Sequence, residues 1–333
     1  MMRRTTRPLT SIAWLTTALM ATLLTATAGP AAARIDWHDS YSAALEAAEQ
    51  SGKPIFAFVY LSDQPGQFAG PREEIRLEER THPGSGRPLD LKRMLNQTLS
   101  DPAVTAAAKQ FEAVKLDLRD PTNDDARRRL KVSPGVDPSS ETRVAMYPIT
   151  VFLDSTGTEL FRRHGTMAAV GYAAQLDRAA QLNEKRDAVL DDPRDPVKRR
   201  ELGRAYMEMD PTPEDRIYDA AVEHLEAAIR FDPGNETGAN FDARVDLAIL
   251  SIPKSAEEAV SKLFQLQGED EDGHRKLEIQ YYMAVAHFVS EDYASARKLL
   301  REFQTEDKHS PYWDSPWTPQ ALGLLQYIKQ ITR

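Results

Sequence analysis

No cysteine occurs anywhere in the 333 residues. A thiolate is the obligatory nucleophile of disulfide exchange, so the chain cannot perform that chemistry with its own residues. It forms no disulfide either, and its stability must come from packing, which its length permits. Also missing are a Gly-rich phosphate loop followed by Lys-Ser or Lys-Thr and a G-x-S-x-G nucleophile turn; Gly84-Ser85-Gly86 reads as loop. The histidines include no H-E-x-x-H and no pair one helical turn apart. Glu79 and His82 make an isolated E-x-x-H without the further carboxylates of a di-metal bundle. Glu269 to Gly273 is acidic, but Ile279 stands where a calcium loop needs its last carboxylate. No metal and no cofactor is expected.

Long apolar runs are equally scarce. One stands out, Ile12 to Leu24, preceded by Arg3, Arg4 and Arg7 and followed by Ala31-Ala32-Ala33, with Ala26-Thr27-Ala28 as a second small-residue site. That order predicts a signal peptide over 1–33, interrupted by Thr16, Thr17 and Thr22 and too short for a comfortable membrane span. The expectation is an exported protein, periplasmic or extracellular, with no transmembrane span after cleavage. Its net charge of −9 disfavours phosphate backbones, so nucleic acid is not an expected partner.

What is present divides into two regions. From Arg34 to Lys185 the signals alternate between helix and strand. Tyr41, Ala44, Leu45 and Ala48 recur at helical spacing after Asp39-Ser40, and Ser51-Gly52-Lys53-Pro54 stops the helix. Ile55 to Leu61 is a continuous apolar run that predicts a buried central strand. Gln64 to Pro88 is rich in Gly, Pro and charge and reads as an inserted loop. Helical character returns at Leu89 to Leu95 and at Ala103 to Phe111, the latter opened by Ser100-Asp101-Pro102. Alternation at Val114, Leu116 and Leu118 predicts a second strand. Tyr147-Pro148 leads into a strand over Ile149 to Leu153, and Asp154 to Gly157 turns into a partner strand over Glu159 to Arg162. A helix over Ala168 to Leu182 closes the region.

Three of these pieces resemble an exported thioredoxin-fold domain. They are Trp37 with the helix ending at Gly52-Lys53-Pro54-Ile55; Lys92-Arg93-Met94 followed by Ser100-Asp101-Pro102-Ala103-Val104; and Tyr147-Pro148-Ile149-Thr150-Val151-Phe152-Leu153-Asp154 with Gly157. The resemblance implies an α/β fold over 34–185 carrying an insertion over 64–88, and a cis bond at Tyr147-Pro148. It also places a degenerate redox motif at Gln64 and Gln67, or in an alternative register at Pro88 and Leu91, where the family carries its two cysteines. Phe58 takes the place of the buried acid often found in the family's central strand. Beside the proline, Tyr147 and Pro148 are the candidate peptide-binding edge; Pro148 alternatively serves only to shape the turn.

Residues 186–333 lack strand-like alternation. Tyr218 to Pro233 resembles the second helix and exit of a tetratricopeptide repeat, and Leu202, Gly203 and Tyr206 resemble its first helix. Ala284, His287, Tyr293, Ala296 and Leu300 suggest a further unit, Phe241 to Leu266 a degenerate one turning at Ile252-Pro253, and Pro319 to Ile331 a capping helix with Thr318 as its cap. The resemblance implies an all-α tetratricopeptide-like array whose units stack because none buries its apolar face alone. Together the two regions predict a non-redox binding, scaffold or chaperone-like protein whose protein or peptide partner is held by the repeats. The alternative is a thiol-independent enzyme using the α/β domain and its 64–88 insertion.

Overall fold

A computed structural model describes residues 34–61, 94–132, 147–209, 211, 213 and 216–332. The expected signal peptide and the 64–88 insertion lie outside the described residues. The chain opens with β1 (Trp37–His38) and α1 (Tyr41–Ser51). Ser40 starts α1, its hydroxyl accepting the Ala43 N–H at 3.1 Å. Gly52 ends it at φ +72°, a left-handed conformation that glycine adopts without a Cβ penalty.

After β2 (Ile55–Tyr60), a π-helical turn over Met94–Thr98 precedes α2 (Pro102–Ala108), which Asp101 caps through the Ala103 N–H. Then follow β3 (Glu112–Asp117), the short α3 (Asp124–Arg129), β4 (Ile149–Leu153), β5 (Glu159–His164) and the long α4 (Ala169–Asp191). The sheet order is β1-β3-β2-β4-β5. The first three strands are parallel, β4 runs antiparallel to β2, and β5 antiparallel to β4.

The central strand separates two cores. Ile55, Ala57 and Val59 pack with Tyr41, Ala44 and Ala48 of α1. Phe56 and Phe58 point the other way, into a cluster holding Val104 of α2 and Tyr172 and Leu176 of α4. Both sheet faces are thus covered, which is why β2 reads as an unbroken apolar run. Each fully buried Phe contributes about 1.5–3 kcal/mol of transfer free energy. This α/β region, with its parallel strands, antiparallel final hairpin and helices on both faces, resembles a thioredoxin-like fold.

Several boundaries differ from the sequence reading. β1 was not foreseen, because two residues are too few to show alternation. β5 continues to His164, since its residues stay paired with β4 as far as Ile149. The larger difference is α4, which runs nine residues beyond Leu182 to Asp191, so residue 185 falls within a helix rather than in a linker.

Among the described residues seven helices follow: α5 (Pro196–Met207), α6 (Arg216–Phe231), α7 (Ala239–Leu250), α8 (Ala256–Glu269), α9 (Lys276–Val289), α10 (Tyr293–Arg301) and α11 (Thr318–Ile331). Each packs on its neighbour in sequence, and α5 also packs on α7. The turn at Ile252-Pro253 lies between α7 and α8 as expected. Thr318 does not cap α11; its hydroxyl donates to the Tyr312 carbonyl instead. The apolar cluster behind Phe56 and Phe58 continues without a break through Leu182 and Val189 into Leu202, Tyr206, Ala221 and Leu225. Arg163 of β5 donates to the Met209 carbonyl just after α5, and Arg186 of α4 pairs with Asp154 at the end of β4. Among the described residues no helix is long and apolar enough to cross a membrane.

Candidate binding edge and a buried charge lattice

The parallel strands β2 and β3 end together, Tyr60 beside Asp117, and β4 starts at the same end because Val59 pairs with Ile149. Tyr147 and Pro148 therefore stand where the central strand exits, the place where open α/β sheets offer their ligand crevice. The Tyr147-Pro148 bond is cis. Pro148 is buried, and its carbonyl accepts the Gly165 N–H at 2.8 Å. Tyr147 is half-buried against the α1-side core. Burial, with Asp117 and Asp120 nearby, pushes the Tyr60 hydroxyl above its usual range and keeps it protonated. Asp120 is held below the usual carboxylate range by hydrogen bonds from the Thr122 backbone and hydroxyl. Gln64, Gln67, Pro88 and Leu91 lie outside the described residues.

Phe58 is fully buried and stacks on Tyr60 at 6.1 Å, so an aromatic ring, not an acid, fills this position of the central strand. At the opposite end of the sheet, Ser51 and His38 meet at Glu112. The Ser51 hydroxyl donates to Glu112 Oε1 at 2.9 Å, and His38 Nε2 lies 2.7 Å from Oε2. Both residues hang from the carboxylate, so the serine hydroxyl donates to Glu112 and not to the imidazole.

The helical half contains a cluster that sequence patterning did not reveal. Asp246 of α7 is 0% exposed, yet it accepts from Arg200 Nε at 2.8 Å, Arg204 Nη1 at 2.6 Å and Arg275 Nη2 at 2.7 Å. Glu278 of α9 accepts from Arg204 at 2.7 Å and Arg275 at 2.6 Å. Asp242 accepts from Arg275 at 2.8 Å and lies 3.6 Å from Arg200. Three cations and three anions thus tie α5, α7 and α9 together. Burial alone would raise the Asp242 pKa, but Arg200 and Arg275 outweigh it and hold the carboxyl low. For Arg204 and Arg275, burial pulls downward and is more than offset by Asp246 and Glu278. The spacing of Arg200 with Arg204, and of Asp242 with Asp246, is the one available signal. It marks one face of a helix but does not name the opposing element.

Beside this lattice, His224 stacks parallel on Tyr206 at 5.8 Å and receives Arg199 Nη1 on its Nδ1 at 2.9 Å. Burial and the Arg199 charge hold its pKa below the usual imidazole range, so the ring is a neutral acceptor. No group of three metal-ligating side chains occurs among the described residues.

No family model and no curated protein matches this chain. A solved structure described as "DsbH Oxidoreductase" is similar over 46% of this chain and 90% of its own, with 22% identity and a TM-score of 0.30. The strand order and the two-faced core, rather than that likeness, establish the α/β architecture. The N-terminal region resembles a thioredoxin-like fold and contains no cysteine.

Proposed function

We propose that this chain is an exported, non-redox binding protein, in which a thioredoxin-like domain supports a tetratricopeptide-like array that holds a protein or peptide partner. The observation that carries the reading is the run of helices α5 to α10. Each packs on the next in sequence, and α5, α6 and α7 share a core with an α/β domain in a chain that has no cysteine. Helical stacks offer long continuous surfaces, and they bind far more often than they catalyse.

Cross-linking of the full chain to proteins of the exported fraction, read by mass spectrometry, tests the proposal. Cross-links should concentrate on the exposed Lys254, Lys262, Lys276 and Lys298 of the array. Cross-links confined to Lys53, Lys109, Lys115 and Lys131 of the α/β half would move the binding site to the Tyr147-Pro148 end of the molecule or elsewhere on the sheet.

A further inference from the structure

The negative charge of this chain is concentrated in one part of the array. Residues 186–272 hold 11 Lys and Arg against 22 Asp and Glu, a net −11. Residues 273–333 hold 8 against 7, a net +1, and residues 34–185 hold 20 against 22, a net −2. With Arg3, Arg4 and Arg7 these balances return the overall −9. A field of one sign over a confined stretch draws partners of the opposite sign and repels the rest.

Within that stretch, α7 and α8 leave a pocket of about 240 Å³, lined by Arg244, Leu247, Ala248, Lys262, Gln265 and Leu266. Ala248 and Leu266 are buried, whereas Lys262 and Gln265 are exposed and form its rim. The start of α6 lies close by: burial and Asp219 push the Tyr218 hydroxyl up, and Lys262 works against them. Small-molecule sites run from about 300 Å³ upward, whereas ~150 Å³ of apolar space already takes a benzene ring. The pocket thus has the size of one Leu or Phe side chain, not of a cofactor.

Its polar groups are already engaged. Arg244 gives Nη1 and Nη2 to the two oxygens of Glu269, at 2.7 and 3.0 Å, and Gln265 donates to the same carboxylate at 2.9 Å. Lys262 pairs with Glu258 at 2.8 Å. An anion entering here would have to displace the chain's own carboxylates against the surrounding −11. A cation meets the opposite situation. Glu257, on α8, and Glu271 and Asp272, in the loop after it, are exposed and pair with no cation among the described residues.

We propose that the array takes a basic segment of its partner: one apolar side chain enters the α7–α8 pocket, and Lys or Arg beside it meets Glu257, Glu271 and Asp272. The inference rests on the binding reading above and narrows it to a site and a partner chemistry. One anchor and a few exposed ion pairs give modest affinity, a Kd on the order of 10 μM.

A phage-displayed library of random peptides about twelve residues long, selected against the immobilised full chain, reads the partner chemistry without presuming a sequence. Enriched peptides should combine an apolar residue with neighbouring Lys or Arg. A synthetic copy of the most enriched one, followed by fluorescence anisotropy, should bind about 10-fold more weakly at ~500 than at ~50 mM NaCl. Gln265→Trp lays an indole over the pocket from an exposed position, so circular dichroism should be unchanged while affinity falls about 10-fold or more. The triple variant Glu257→Lys, Glu271→Lys, Asp272→Lys should lose the basic peptide and gain a copy whose Lys and Arg are replaced by Glu. Enriched peptides without basic residues would overturn the proposal, as would binding indifferent to Gln265→Trp or to the triple variant, or a selection that enriches nothing. None of those results decides the broader reading, which stands or falls on where the cross-links of the full chain lie.

Discussion

Asp246 shows how one residue can bind together distant parts of the chain. Removing its charge leaves Arg200, Arg204 and Arg275 with Asp242, Glu278 and, at 3.7 Å from Arg204, the exposed Glu208, so the buried centre of the site loses its shared anion. Asp246→Asn keeps the shape and removes the charge. It should cost about 3–5 kcal/mol, as expected when a buried pair is broken by losing one partner. Urea unfolding measures this, and a loss under ~1 kcal/mol would mean that the guanidiniums find other partners. His224 gives a second residue-scale expectation, this time in pH. Its folded pKa lies below the unfolded value near 6.5, so below that value the unfolded chain binds more protons and stability falls with pH. The loss begins near pH 6.5 and is complete once pH has passed the lower, folded pKa. His224→Gln should lose less stability than wild type between pH 7 and 5.5, read as the shift in urea midpoint. Equal shifts would show that the imidazole is not held neutral.

At the scale of single elements, the same substitution should have opposite signs at two helical glycines. A Cβ at Gly203 of α5 would lie 2.7 Å from Leu225 Cγ and 3.2 Å from the Ala221 carbonyl oxygen, at the closest approach of α5 and α6. Gly203→Ala should destabilise by about 1–3 kcal/mol through overpacking. At Gly323, where the space is open, Gly→Ala should stabilise by about 0.5–1 kcal/mol through helix propensity alone. Denaturant midpoints of the two variants settle the signs. Legibility in the sequence divides along similar lines. β2, β4 and α6 were readable because their own residues carry the pattern: Ile55 to Val59 as a run, Tyr218, Ala221, Leu225 and Ala228 as a stripe. Tyr147-Pro148 was readable because its context resembles a known turn. β1 is too short to have a period. The charge lattice was hidden because Arg204 and Glu278 are 74 positions apart, and only folding brings them together. The end of α4 was misplaced because Glu184, Lys185 and Arg186 look like solvated linker, whereas Arg186 reaches back to Asp154 and Val189 is buried.

Over the whole molecule, the shared cluster from Phe56 to Leu225 predicts one unfolding transition for sheet and array together. A chain truncated after Leu182 loses Leu202, Tyr206 and Leu225 from that cluster, and with them Arg186 from Asp154. The fragment should lose its cooperative transition by circular dichroism and bind a hydrophobic dye. A fragment that melts like the intact protein would show that the α/β half stands alone. The continuous α4 also has a consequence for descent. Modules are usually exchanged between genes at exposed linkers, where few contacts cross. Here the junction is a 23-residue rod, whose first half packs under the sheet and whose second half packs under the array. A recombination point at residue 185 would give each descendant half a helix and an open core. A break there therefore costs both halves, because the buried residues on either side of it belong to one apolar cluster.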